Sequence, residues 1–314
     1  MIRTAAVLTI GFLLVFTGSV QAAQFELEQT DDGVTVKLDG KLLTCYVTKS
    51  GNKPILWPII GPNGNEITRA YPMRDAGSDE RADHQHHRSF WFTHGDVNGI
   101  SFWHEGEGTG EIVHKSFVKV EGGENAVIVT RNDWNGPDGK KICEDERTLT
   151  FGADGQNVWF DFDVTVKATA GPVTFGDTKE GCGGVRVAGT MKVDAKQGGK
   201  IVNCEGHVDR EAWGKPAAWC DYHGPVKGNV VGIAILNHPK SFRFPTYWHV
   251  RTYGLFTANP FGLSNFTKAE KGAGSHRLAA GESFTLNYRL LIHKGDEKEG
   301  GVAEAFAKYA KTEK

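Results

Sequence analysis

The sequence predicts an all-β protein, a large antiparallel β-sandwich closed by one short C-terminal helix. Three observations predict it. Glycine is abundant, 40 of 314 residues, and spread along the whole chain. The segments between glycines are short and alternate apolar with polar residues. Helical periodicity is confined to the tail.

Taken in order, strand-like runs cover 25–30, 34–39 and 42–48, with the Asp32-Gly33 turn between the first two. Runs 112–120 and 125–131 flank Glu121-Gly122-Gly123. Run 145–151 lies between Pro137-Asp138-Gly139 and Ala153-Asp154-Gly155. Asn157 to Lys167 is the clearest strand. Val158, Phe160, Phe162, Val164 and Val166 fall on one face, and Trp159, Asp161, Asp163, Thr165 and Lys167 on the other. Runs 184–187 and 229–236 are separated by the Gly198-Gly199 turn. Ser283 to Ile292 repeats the alternation, with Phe284, Leu286, Tyr288, Leu290 and Ile292 facing in. Val302 to Lys311 suits a helix. No linker rich in Pro or Ser and no internal repeat interrupts this order, so a single β-sandwich domain over 23–314 is expected.

The first residues, MIRTAAVLTIGFLLVFTGSVQAAQ, carry one basic residue, a short apolar run and a Val20-x-Ala22 pattern. That is a secretory signal peptide over 1–22, with a periplasmic or secreted mature protein. Its removal leaves 35 basic against 38 acidic residues. Such a balance offers no footprint for nucleic acid and no polybasic patch for a membrane surface. Five cysteines make an odd count, so at least one thiol stays free in an oxidising compartment.

Four stretches break the strand pattern: Pro72–Glu105, Gly176–Gly189, Glu205–Gly224 and His238–Gly262. They mix histidine, aromatics and charge, and long irregular loops on a β scaffold are where sites are built. The first contains DHQHHRSFWFTHGDVNG, four histidines in seventeen residues. His84 and His86 have a spacing compatible with a divalent metal, although no glutamate follows at the distance a metal-binding β-barrel needs. No cofactor is required by the sequence. Acid/base chemistry needs less: an imidazole that gives and takes protons near neutral pH and a carboxylate to partner it. Glu180 in GDTKEG, with His87 and His249, forms that candidate catalytic set. Arg88, Trp91, His94, Asp177, Lys179, Trp248 and Arg251 are candidate substrate-binding residues. Arginines clamp carboxylates, and tryptophans stack on a sugar ring. No phosphate loop, GxSxG elbow or dinucleotide fingerprint occurs.

At DHQHHRSFWFTHGDVNG, PVTFGDTKEG, FPTYWHVRTYGLFTANPFG and DYHGPV, the chain resembles a bacterial family of exported proteins that carries the label methane oxygenase PmoA. The resemblance covers roughly residues 50 to 265 and implies a β-sandwich. In that family a proline often stands between the first two histidines; here it is Gln85. The methane-oxidising membrane subunit is a bundle of membrane helices, and this sequence has no such helices, so the oxidation chemistry does not follow from the label. In length and loop content the chain is also similar to galactose-mutarotase-like supersandwich proteins.

The expected function is a periplasmic carbohydrate-active enzyme, a hydrolase, lyase or isomerase using His/Glu acid-base chemistry on a sugar or glycoside. The expected ligand is a small molecule or oligosaccharide. The alternatives are a non-catalytic sugar-binding module and a metal-dependent enzyme built on the histidines.

Overall fold

The computed structural model describes residues 23–314, and the expected signal segment, 1–22, lies outside them. Strands β1 (Phe25–Thr30), β2 (Gly33–Leu38), β3 (Lys41–Ser50), β4 (Lys53–Ile59) and β5 (Phe90–His94) open the chain. A meander follows: β6 (Glu111–Glu121), β7 (Ala126–Asn135), β8 (Lys141–Ala153) and β9 (Val158–Lys167). Next come β10 (Val173–Phe175), β11 (Gly181–Arg186), β12 (Lys200–Asn203), β13 (Trp219–Val226) and β14 (Asn229–Asn237). The last part holds β15 (Tyr247–Val250), β16 (Leu255–Asn259), α1 (Leu263–Phe266), β17 (His276–Leu278), β18 (Ser283–Lys294) and α2 (Val302–Tyr309).

Two eight-stranded sheets result, ordered β1-β2-β3-β4-β5-β11-β16-β15 and β12-β13-β14-β18-β9-β8-β7-β6, with β10 and β17 as a separate ribbon. Every strand pair is antiparallel. The sheets face each other through aromatic contacts. Phe90 of the first sheet packs edge-on against Phe160 and Phe162 of the second, and Phe92 against Trp134. The expected inward residues of β9 supply this face: Phe160, Phe162, Val164 and Val166 are buried. Each such side chain contributes about 1.5–3 kcal/mol of burial. One charged cluster is sealed inside the sandwich. Arg147 forks onto Asp145, which also accepts from Asn132 and the Trp134 indole.

The alternating runs all become strands, and the tail helix forms over Val302–Tyr309. Val302, Ala305, Phe306 and Tyr309 lie on the helix face that covers Trp219, Leu236 and Leu291 on the outside of the second sheet. The structure adds β4, β5, β10, β12, β13, β15, β16 and β17, which show no clean alternation. Among them, β5 and β16 are buried at every residue and β13 at all but one. A strand covered on both faces loses the polar half of its pattern. The stretches read as irregular therefore contain strands as well as loops. All five cysteines are free thiols.

Candidate functional site

Register puts the centre of the site on the outer face of the first sheet. Ile55 on β4 pairs with Trp91 on β5, Trp91 with Gly184 on β11, Gly184 with Thr257 on β16, and Thr257 with His249 on β15. Directly opposed residues share a face, so these five form one row pointing away from the sandwich core. Loops 60–89, 95–110 and 251–254 lie beyond this sheet in sequence and carry the remaining side chains.

The histidine-rich stretch builds a column of rings on this row. His87 stacks on Trp91 at 5.3 Å, His84 stacks on His87 at 4.9 Å, and Tyr253 stacks on His84 at 5.6 Å, all within 13° of parallel. Arg186 runs alongside. Its guanidinium donates to His87 Nδ1 at 3.0 Å, reaches Asp83 at 3.2 Å and lies 4.7 Å from the Tyr253 ring centre. Arg69 shares Asp83 at 2.9 Å and donates to the carbonyls of His84 and His87. His87 is buried, and burial followed by Arg186 pushes its imidazole well below the usual histidine range. Its ring is stacked between Trp91 and His84 and its Nδ1 lone pair is taken by Arg186, so it has no free lone pair for a base, which removes it from the catalytic set.

His86 leaves the column. Its ring meets His104 at 5.0 Å and Trp103 at 6.1 Å. Burial, then the neighbouring His104 and Lys53, lower its imidazole to about 4. Beside it lies an ion cluster in which Glu105 accepts two hydrogen bonds from Arg88, at 2.6 and 2.7 Å, and one from Lys53 at 3.0 Å. Lys53 is fully buried, and burial lowers its ammonium to about 8 against the pull of Glu105. Arg88 is thus committed internally and is not a free substrate clamp. His84 and His86 meet edge-to-face at 5.8 Å, and among the described residues they are not part of a group of three ligand atoms close enough to share an ion.

Glu180, Lys179, His249 and Arg251 do converge. Glu180 sits in the turn that enters β11, and its Oε1 accepts from Lys179 Nζ at 2.7 Å. The imidazole of His249 donates from Nδ1 to the carbonyl of Lys179 at 2.8 Å, which leaves Nε2 with a free lone pair. That bond anchors the ring to the residue preceding Glu180. Burial alone would raise the Glu180 carboxyl; the Lys179 hydrogen bond, then His249, Lys179 and His104, outweigh it and hold the carboxyl below its usual range. Burial lowers His249 to about 4 in spite of Glu180. At neutral pH the pair is a carboxylate beside a neutral imidazole.

A cavity of about 440 Å³ is walled by Trp213, Val250, Arg251 and Tyr253, with Asp194 and Arg210 at its rim; His249 and Glu180 do not line it. Trp213 meets His249 edge-on at 6.4 Å. The Arg251 guanidinium lies 5.9 Å from Trp213 and 5.7 Å from Tyr253. These two half-buried rings supply the aromatic wall. The expected platforms do not: Trp248 is sealed in the sandwich core with its indole on Ala217, and Trp91 lies buried beneath His87.

Two more expected residues lie elsewhere. His94 faces the sandwich interior, with Nε2 on the Gly176 carbonyl and rings Phe175 and Phe261 around it. Asp177 organises the segment after β16 by accepting from the amides of Ser264, Gly272 and Gly274. Sequence reasoning did not assign Tyr253 or Trp213 to the site. The signal available for Tyr253 and Trp213 was their place in stretches already marked irregular.

Among the described residues, one group of three could hold a cation: Asp221, His223 and Glu297, on the outer face of the second sheet. Asp221 already accepts from His223 Nδ1 at 2.6 Å and from His293 Nε2 at 2.8 Å. Both its oxygens are engaged, so a metal would have to displace a shared proton.

Among solved structures, the chain is similar to the galactosidase domain of alpha-galactosidase-sucrose kinase, AgaSK, at 10% identity and a TM-score of 0.36, covering 86% of this chain and 40% of that one. It is similar to a candidate aldose 1-epimerase from Escherichia coli K12 at 12% identity and a TM-score of 0.33, covering 87% and 100%. It is also similar to a glycoside hydrolase family 97 enzyme in complex with acarbose, from Pseudoalteromonas sp. strain K8, at 10% identity and a TM-score of 0.33, covering 86% and 34%. The chain thus spans about two fifths of the first of these proteins and a third of the last. Likeness this distant carries no inference about the reaction. No curated protein matches in sequence. A family model described as "Family of unknown function (DUF6807)" matches residues 33–307, and the chain belongs to that family.

Proposed function

We propose that the protein is an exported carbohydrate-active enzyme, a single domain over 23–314 that moves protons on a sugar or glycoside. One observation carries this reading. The Glu180 carboxylate and the neutral His249 imidazole lie together, and His249 meets Trp213, one wall of the cavity that Arg251 and Tyr253 also line. A sugar ring offers a C–H face to such rings and hydroxyls to the polar groups.

Glu180 and His249 Nε2 are both proton acceptors as they stand. Lys179 keeps the carboxylate charged. Proton donation falls to the Tyr253 phenol, which burial holds protonated. The second carboxylates nearby are not free: Asp83 and Glu105 are each shared by two cations. The paired-carboxylate arrangement of ordinary glycoside hydrolysis is therefore poorly served. Proton abstraction from the sugar, as in a lyase or isomerase, suits the site better. The PmoA-like label is compatible with the export and the sandwich and adds nothing to the chemistry.

The paired state of the carboxylates also favours a second reading, a sugar-binding module without turnover. Glu180→Gln separates the two. We expect it to abolish turnover in a screen of glycosides, uronates and oxidised sugars while leaving the melting temperature nearly unchanged. A wild-type protein that binds sugars and turns none over makes the site a binding module. A large fall in melting temperature makes Glu180 structural.

A further inference from the structure

The charge around the site is unbalanced. Asp83 is shared by Arg69 and Arg186, Glu105 by Lys53 and Arg88, and Glu180 is held by Lys179. Five cations are thus paired with three carboxylates; Glu80, the further carboxylate near Arg69, accepts from the amides of Ala70 and Tyr71. Arg251 is a sixth cation, exposed at the cavity wall, and among the described residues no carboxylate lies within ion-pair distance of it. The rim carries one acid, Asp194, and one base, Arg210. Buried cations are costly unless compensated, and two of these are incompletely satisfied, since Nε of both Arg69 and Arg186 has no hydrogen-bond partner. The excess shows in titration as well. Burial and then Arg69 lower Arg186 to about 10, and burial, then Arg186 and Arg81, lower Lys192.

We infer that the substrate is a sugar acid, a uronate whose carboxylate lies on Arg251 between Trp213 and Tyr253, with the carbon bearing it facing His249 and Glu180. This rests on the proton-transfer reading given above and narrows its substrate. A planar guanidinium matches a carboxylate fork. Two aromatic walls beside it match the ring rather than a bare anion. The chemistry is consistent with the bases present. Neutralising a carboxylate acidifies the proton on the carbon next to it. His249 Nε2 takes that proton, the C–H electron pair moves into the carboxylate as an enediolate, and Arg251 stabilises the added charge. The intermediate then either recovers a proton on that carbon or expels the neighbouring glycosidic oxygen, which leaves with the C–O pair and a proton from the Tyr253 phenol. No oxidant or reductant is needed. A bound carboxylate also raises His249 toward the range where a base works well.

The test titrates the full-length mature protein with D-glucuronate, D-galacturonate and their methyl glycosides, against D-glucose and D-galactose. The uronates should bind about tenfold more tightly than the neutral sugars, the value of one charge-assisted contact. The preference should shrink as sodium chloride is raised. Arg251→Met should remove the preference, lowering uronate affinity about tenfold more than neutral-sugar affinity. In deuterated water, wild type should exchange the proton on the carboxylate-bearing carbon of a methyl uronide, and His249→Gln should not. Equal binding of acidic and neutral sugars, or turnover of neutral sugars alone, overturns the inference while leaving the sugar reading intact. Tighter binding of glucose 6-phosphate than of glucuronate overturns it in favour of a phosphosugar. No binding of any sugar overturns both.

Discussion

At the scale of single residues, the fold protects several imidazoles from protonation. His94 is enclosed between the sheets, and burial takes it from the ordinary 6.5 down to about 4. His249 is lowered to about 4 for the same first reason. The sign follows from linkage: as pH falls below 6.5 the unfolded chain takes up these protons while the folded protein does not. Stability is therefore fully present above the unfolded value and is lost as pH falls toward the folded one. At pH 4 each of the two accounts for about 3 kcal/mol. We expect urea unfolding to show a steep loss of stability over this window. His94→Gln should flatten it, because glutamine can still donate to the Gly176 carbonyl and does not titrate. Parallel acid profiles for wild type and His94→Gln would remove His94 from this account.

At the scale of elements, Gly184 in β11 sets how closely the central strands pack under the site. A Cβ there would lie 2.7 Å from Cγ2 of Thr257 and 3.1 Å from the Trp91 ring, both in the row that ends at His249. Gly184→Ala should cost about 1–3 kcal/mol by overpacking and shift the tryptophan fluorescence. Thr257→Ser removes the Cγ2 in question. The double variant should therefore be more stable than the two single losses predict, and strict additivity would rule out the contact. These strands also mark where the sequence stops being legible. The meander β6–β9 and β18 keep one face toward the core, so alternation disclosed them. The site strands β5 and β16 have loops over one face and the second sheet under the other, so their residues lack a polar side to reveal the period. Glu180, His249 and Arg251 were legible as charged or imidazole groups in unpatterned stretches. Which tryptophan faces the cavity was not. Trp248 and His249 are chain neighbours on opposite faces of β15, and only the pairing with β16 tells core from site.

At the scale of the molecule, the two sheets share a core and use their outer faces differently. The first sheet carries the ring column, the cavity and the unpaired Arg251. The second carries α2, whose Tyr309 is wholly buried over Leu291 and Trp219, with Arg289 4.6 Å from its ring centre. Next to it the same face holds the His223–Asp221–His293 ion cluster. The sandwich core separates the faces, and no contact described above links α2 to Glu180. Substitutions on the two faces should then divide cleanly. Tyr309→Ala should lower stability by about 3–5 kcal/mol through the cavity it leaves. Below its melting temperature it should turn substrate over at the wild-type kcat. Glu180→Gln should do the opposite, keeping the melting temperature and losing kcat. Combined, their effects should add, as expected for distant sites without shared partners. A Tyr309→Ala protein that is folded by circular dichroism but has lost sugar turnover would mean that the second sheet positions the site through the core, and the division of labour between the faces would fall.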